Sequence, residues 1–150
     1  MDPITVETTI ARPREEVFEY LADIANHAEF TDHFMVDWRL TREDTYGYGA
    51  GARYKIKAPL NRFPWADSTI IELEPGAGGT TRVRFTLLVE PKTLTDRLLQ
   101  SFGARGWMKR KLRKSMRRLT SILEEGYGRG TRPTLAGGPR KPATGSVFQR

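Results

Sequence analysis

The chain has 150 residues, 38% of them hydrophobic and 29% charged, with no cysteine, two histidines and a formal net charge of +7. That length supports one domain and one core without a metal or disulfide staple. The absence of cysteine excludes a disulfide framework, thiolate-bound zinc, an iron–sulfur cluster and a thiol nucleophile. No apolar run approaches the ~18 residues of a membrane span, and the N-terminus lacks a basic-then-apolar signal pattern. The expectation is a cytoplasmic protein with no cofactor and no metal.

In chain order, Ile4, Val6, Thr8 and Ile10 share one face of a period-two strand over 4–10. Pro13 suits the first turn of a helix, where its missing N–H costs nothing. Glu15 and Glu16 favour the positive end of that helix's dipole. Val17, Leu21 and Ile24 follow at helical spacing, which predicts a helix over 13–23 and a shorter helical turn over 24–30.

Four strand-like runs follow. Phe34, Val36, Trp38 and Leu40 alternate with Met35, Asp37, Arg39 and Thr41. Tyr54, Ile56 and Ala58 alternate with Arg53, Lys55 and Lys57. A third run covers 65–74, and in the fourth Val83, Phe85, Leu87 and Val89 alternate with Arg82, Arg84, Thr86 and Leu88. Glycine- and proline-rich turns at 46–51, 61–64 and 76–79 separate them, and Pro91 closes the last.

The final element is helical and begins after Thr93. Met108, Leu112, Met116, Leu119 and Leu123 recur at steps of four, four, three and four, an arc of about 80° that Ile122 widens to roughly 120°. Arg105 falls on that arc when the phase is extended backwards. Gly103 and Gly106 therefore mark a kink or restart between 94–102 and 107–125. Gly126 is a C-cap. Beyond it, 127–150 reads as a disordered basic tail rich in glycine, proline and arginine, so the predicted division is a domain over 1–126 and a tail over 127–150.

Three segments carry a family resemblance: Ile4-Thr-Val-Glu-Thr-Thr-Ile10, Arg12-Pro-Arg-Glu-Glu-Val-Phe-Glu-Tyr-Leu-Ala-Asp23, and the basic amphipathic helix ending Leu119-Thr-Ser-Ile-Leu-Glu-Glu125. With the element order, they resemble the START-like (SRPBCC) superfamily, which includes polyketide cyclase/dehydrase-like proteins, over about 4–126. The resemblance implies an α+β helix-grip fold, in which a curved antiparallel sheet wraps the long C-terminal helix around an apolar cavity. Family sheets usually have seven strands, whereas five are predicted here. The join over 72–79 runs directly into what resembles the family's last strand, so the chain looks shortened by one β-hairpin. Members of the family bind lipids, polyketides or other hydrophobic molecules, and some are enzymes.

The candidate ligand-binding residues are the inward-facing Trp38, Tyr54, Ile56, Phe85, Leu87, Met108 and Leu112, for which ordinary core packing is the competing reading. Asp67 and Thr69 share strand parity with Ile71 and Leu73. That parity sends two polar groups into an apolar interior, where an unpaired carboxylate is costly. They would anchor a ligand hydroxyl, or Asp67 would act as general base in a cyclase or dehydratase. A bulge near Pro64 that turns Asp67 to solvent is the alternative. No other catalytic candidate can be defended.

His27, Glu29, Asp32 and His33 have acid–base side chains, but their short spacing lacks a ligand pattern, so solvated loop residues are expected. Gly47, Gly49 and Gly51 form no phosphate loop, because the residues after them read as strand rather than helix.

Charge supplies the last candidate. Between Gly103 and Leu119 lie Arg105, Lys109, Arg110, Lys111, Arg113, Lys114, Arg117 and Arg118, with no acid. Of these, Lys109, Arg110, Arg113, Lys114 and Arg117 could neutralise nucleic-acid phosphates or an anionic membrane surface. A solvated helix back is the competing reading. No aromatic platform lies among them for stacking single-stranded bases. The partner expected first is a hydrophobic small molecule.

Overall fold

The computed structural model describes residues 3–47, 50–57, 65–66, 68–88, 103–126 and 130. Strand β1 (Ile4–Ile10) buries Ile4, Val6 and Ile10 on one face, as its period requires. Pro13, with φ −59° and ψ 149°, sits at the N-cap of α1 (Arg14–Ala22), and its carbonyl accepts the helix's first hydrogen bond from Val17 N–H at 3.2 Å. Val17, Tyr20 and Leu21 face the core. A 3₁₀ turn over Ile24–Asn26 follows, where the Asp23 carboxylate accepts from Ala25 N–H at 3.0 Å. It runs into the short helix α2 (His27–Thr31), whose five residues are all buried.

The strands are β2 (Met35–Leu40), β3 (Ala52–Ile56), β4 (Trp65–Ala66), β5 (Ser68–Pro75) and β6 (Thr81–Leu88). They form two three-stranded antiparallel sheets, ordered β1-β6-β5 and β2-β3-β4. Two expectations need correction. The single predicted strand over 65–74 is two strands, which makes six among the described residues rather than five. Ala66 pairs with Tyr54 in one sheet, whereas from Ser68 onward the chain pairs with β6 in the other. A strand that changes sheets makes the corner between them.

The second correction concerns β2. Between Val36 and Arg39 its register with β3 slips by one residue, and Asp37 takes φ +54°. This is a bulge. It turns Met35 (1% exposed) and Trp38 (8%) both inward and leaves Val36 half-buried, where strict alternation would separate Met35 from Trp38.

The predicted join between β5 and β6 is a tight turn in which Gly76 N–H donates to the Thr80 carbonyl at 2.8 Å. Gly78 and Gly79 adopt φ +67° and +75° there, a region glycine enters without a Cβ penalty.

The long helix α3 (Arg105–Glu125) buries the predicted arc, with Ser115 added. Just before it Gly103 takes φ +86°, whereas Gly106 is inside the helix. Arg105 escapes the apolar arc by donating to the Pro3 carbonyl at 3.2 Å. At the far end Gly126 (φ +79°) donates to the Ile122 carbonyl at 3.0 Å as the predicted C-cap. The Arg12 guanidinium adds to that cap, reaching the carbonyls of Leu123 (3.0 Å) and Glu124 (3.2 Å), so a cation sits at the negative end of the helix. The nearest backbone neighbours of α3 are β1 and α2.

The architecture is α+β, antiparallel sheets gathered around one long C-terminal helix. Among the described residues no helix is long and apolar enough to cross a membrane. The predicted helical segment 94–102, the site candidate Asp67, and positions 127–150 apart from Gly130 lie outside the described residues.

Candidate functional site

Trp38 of β2, Tyr54 and Ile56 of β3, Phe85 and Leu87 of β6, and Met108 and Leu112 of α3 are all buried in one apolar cluster. Each arrives there for a local reason. The bulge turns Trp38 inward, β3 and β6 alternate regularly, and the two α3 residues lie one helical turn apart. The rings of Trp38 and Tyr54 stack with centroids 4.6 Å apart. The indole Nε1–H donates to the Met35 carbonyl at 3.1 Å, so the polar end of the tryptophan is satisfied inside the core. Phe30 of α2 meets Phe85 edge-on at 6.4 Å. Met35, Met108 and Met116 belong to the same cluster and bring flexible, polarizable side chains to it. In β5, Thr69 is paired in register with Leu87, next to the Ile71–Phe85 and Leu73–Val83 pairs.

The four acid–base residues expected in a solvated loop are instead packed between helices. His27 is 7% exposed, and its Nε2 lies 2.7 Å from the Leu21 carbonyl. Burial holds its pKa below the ordinary histidine value, outweighing the opposing effects of that hydrogen bond and of Asp23. Burial thus favours the neutral ring, and beside a carbonyl its Nε2 carries the proton as donor. Glu29 is fully buried and accepts from the Tyr20 hydroxyl at 2.9 Å. The Thr31 hydroxyl donates back to the His27 carbonyl at 2.6 Å.

Beyond α2, the Asp32 carboxylate pairs with Arg118 of α3. Nε2 of His33 lies 3.2 Å from the Lys111 carbonyl, and its Nδ1 is 3.5 Å from an Arg118 nitrogen. Burial lowers the His33 pKa, and the charges of Lys114, Arg118 and Lys111 add to that. The group therefore fastens α1, α2 and α3 together. It escaped the sequence reading because its partners lie six to 86 residues away. The one local signal is that Tyr20, Leu21 and the acid–base residues fall within a single helix–turn–helix.

The basic residues of α3 divide into two groups. Arg118 turns toward Asp32, Lys111 holds its ammonium 5.6 Å from the Trp107 ring centre, and Arg105 reaches Pro3. Arg118 and Lys111 are therefore engaged within the chain. Lys109, Arg110, Arg113, Lys114 and Arg117 remain exposed on the side opposite the core.

No family model matches the chain, and no curated protein sequence does. Solved structures do resemble it. The KanY protein, a solution NMR structure, has a TM-score of 0.65 at 13% identity over 82% of this chain and 97% of that one. TTHA0849 from Thermus thermophilus has a TM-score of 0.64 at 15% identity, covering 83% of this chain and 99% of its own. A protein from Arthrobacter aurescens reaches 0.50 at 14% identity over 82% and 86% of the two chains. At such identities the likeness is one of fold. The chain has an α+β fold of the helix-grip type, antiparallel sheets with one long C-terminal helix, as its sequence led one to expect.

Proposed function

We propose that residues 1–126 form a domain that binds a hydrophobic small molecule, lipid- or polyketide-like, between the sheets and α3, and that 127–150 is a tail. Trp38, Tyr54, Ile56, Phe85, Leu87, Met108 and Leu112 are its walls, with Thr69 and Asp67 as polar anchors. The supporting observation is that this one apolar cluster is drawn from both sheets and the helix. Hydrogen bonds and an ion pair tie α3 to β1 and to the α2 region, while the Trp38–Tyr54 pair belongs to the other sheet. An apolar guest entering between those layers exchanges one set of apolar contacts for another, and the three methionines adapt to its shape.

Native mass spectrometry of the purified chain should retain a co-purified ligand, and the neutral dye Nile red should bind and be displaced by it. Ile56→Trp and Leu87→Trp should each block the dye with little loss of stability. A close-packed interior would instead be overpacked by either change, at a cost of roughly 1–3 kcal/mol. Destabilised variants together with a wild type that binds no apolar probe would overturn the reading.

A further inference from the structure

The outward face of α3 has no role in the apolar interior, and its charges are arranged in an unusual way. Lys109, Arg113 and Arg117 follow one another at i, i+4, and Arg110 and Lys114 form a second such pair. These are like-charge rows, a pattern that opposes helix formation. Other basic side chains behave differently: Lys55 pairs with Asp37, Arg82 with Glu74, Arg84 with Glu7 and Glu72, and Arg118 with Asp32. Among the described residues, none of the five outward bases of α3 has an acidic partner.

We propose that this face is a docking surface for duplex nucleic acid, held through its phosphates. The first argument is charge density. From Lys109 to Arg117 the helix rises about 12 Å, so five cations face a length over which a duplex presents roughly seven phosphate charges. Three of the five are arginines, whose planar forks match phosphate oxygens bidentately.

The second argument separates the duplex from other polyanions. A helix that lies on a membrane inserts an apolar face, but every apolar residue in the α3 arc from Met108 to Leu123 is already buried in the core. The large exposed apolar side chains among the described residues, Phe18, Tyr46 and Ile70, lie on other parts of the chain. The aromatic ring nearest the five bases, Trp107, packs against the core and edge-on to Phe34 with the Lys111 ammonium over it, so it offers no free platform for unpaired bases, which disfavours single strands. What is left is an exposed cationic helix face that reads charge rather than bases.

The test is fluorescence anisotropy of the full chain with a labelled 20-base-pair duplex of random sequence, titrated between 50 and 200 mM salt. Five phosphate contacts predict a slope of log K against log salt of about −4.5. The triple substitution Lys109→Glu, Arg113→Glu and Arg117→Glu should weaken binding at least tenfold while leaving the circular dichroism and Nile red binding unchanged. Should that variant fail to fold, the milder Lys109→Gln, Arg113→Gln and Arg117→Gln should make the slope shallower by about 2.7. Equal duplex binding by wild type and a folded variant would overturn the proposal and assign the affinity to another surface. Retention on phosphatidylserine vesicles that the duplex cannot compete away, or absence of duplex binding at 50 mM salt, would overturn it too.

Discussion

The outer face of the β1–β6–β5 sheet and the outer face of α3 both display arginine to solvent, but they handle its charge in opposite ways. On the sheet, Glu7, Arg84 and Glu72 stand directly opposite one another on three adjacent strands, and Arg84 lies 2.7 Å from Glu7 and 3.3 Å from Glu72. One rung along, Glu74 faces Arg82 at 3.5 Å. Antiparallel register has brought opposite charges together there, which is how cross-strand pairs contribute to a sheet. On α3 the spacing that creates neighbours is i, i+4, and it sets base beside base. The sheet neutralises itself. The helix does not, among the described residues.

The largest contrast to test lies across α3 itself. Leu112→Ala, on the buried side, should cost about 2–5 kcal/mol through lost burial and a residual cavity. Arg110→Ala, on the outward side, should stay within about 0.5 kcal/mol. Urea denaturation of both variants checks this, and comparable losses would mean that the outward face is packed against something.

Arg118 stands between the two extremes. Its side chain is 25% exposed, and that of Asp32 is 26%. Arg118→Ala should destabilise by about 1–3 kcal/mol, since it leaves a half-buried carboxylate without its charged partner. A double-mutant cycle with Asp32→Asn should recover most of that as coupling energy. Additive losses would show that the pair is incidental.

The histidines extend the comparison to pH. Burial lowers the pKa of both His27 and His33 in the folded chain, so the unfolded chain binds more protons as pH falls through the histidine range. Stability is then full above about pH 6.5 and declines as pH drops below it. His27→Gln should flatten that decline in thermal melts at pH 5 to 7. A wild-type melting temperature that does not change over this range would contradict the assignment. Glu7 behaves similarly at lower pH: the hydrogen bond from Arg84, and then its charge, hold the carboxyl below the usual carboxylate range. Its contribution is lost as pH falls through that lowered value.

The smallest effects should differ in sign between the two faces. Arg84→Ala should lower the melting temperature slightly, and the difference should fade in high salt. Arg113→Glu should instead raise stability at low salt, by about 0.2–0.5 kcal/mol for each of the like-charge contacts with Lys109, Arg110 and Arg117 that it turns into an opposite-charge one. A loss at position 113 would mean that the repulsion inferred from its spacing is already relieved within the folded chain.

Much of the fold and of the apolar site could be read from local periodicity. The arc from Met108 to Leu123, the inward rows of β1 and β6, and the Gly126 cap depend on spacings within one element, which the backbone geometry of helix and strand imposes. Ile56, Phe85, Leu87, Met108 and Leu112 were legible for that reason. Met35 was not, because the bulge at Asp37 arises only when β2 is laid against β3.

Tertiary structure alone decided the rest. The exchange of sheets between Ala66 and Ser68 depends on which neighbour each end of the run finds. The burial of His27 and Glu29 depends on α1 and α3 closing over a five-residue helix whose own sequence reads as polar. Arg118 shares its helix with five outward bases but lies at the edge of the apolar arc, where Asp32, 86 residues away, comes within its reach. Periodicity determines which face a side chain takes. The partner it meets there depends on pairings between distant segments, which exist only once the chain has folded.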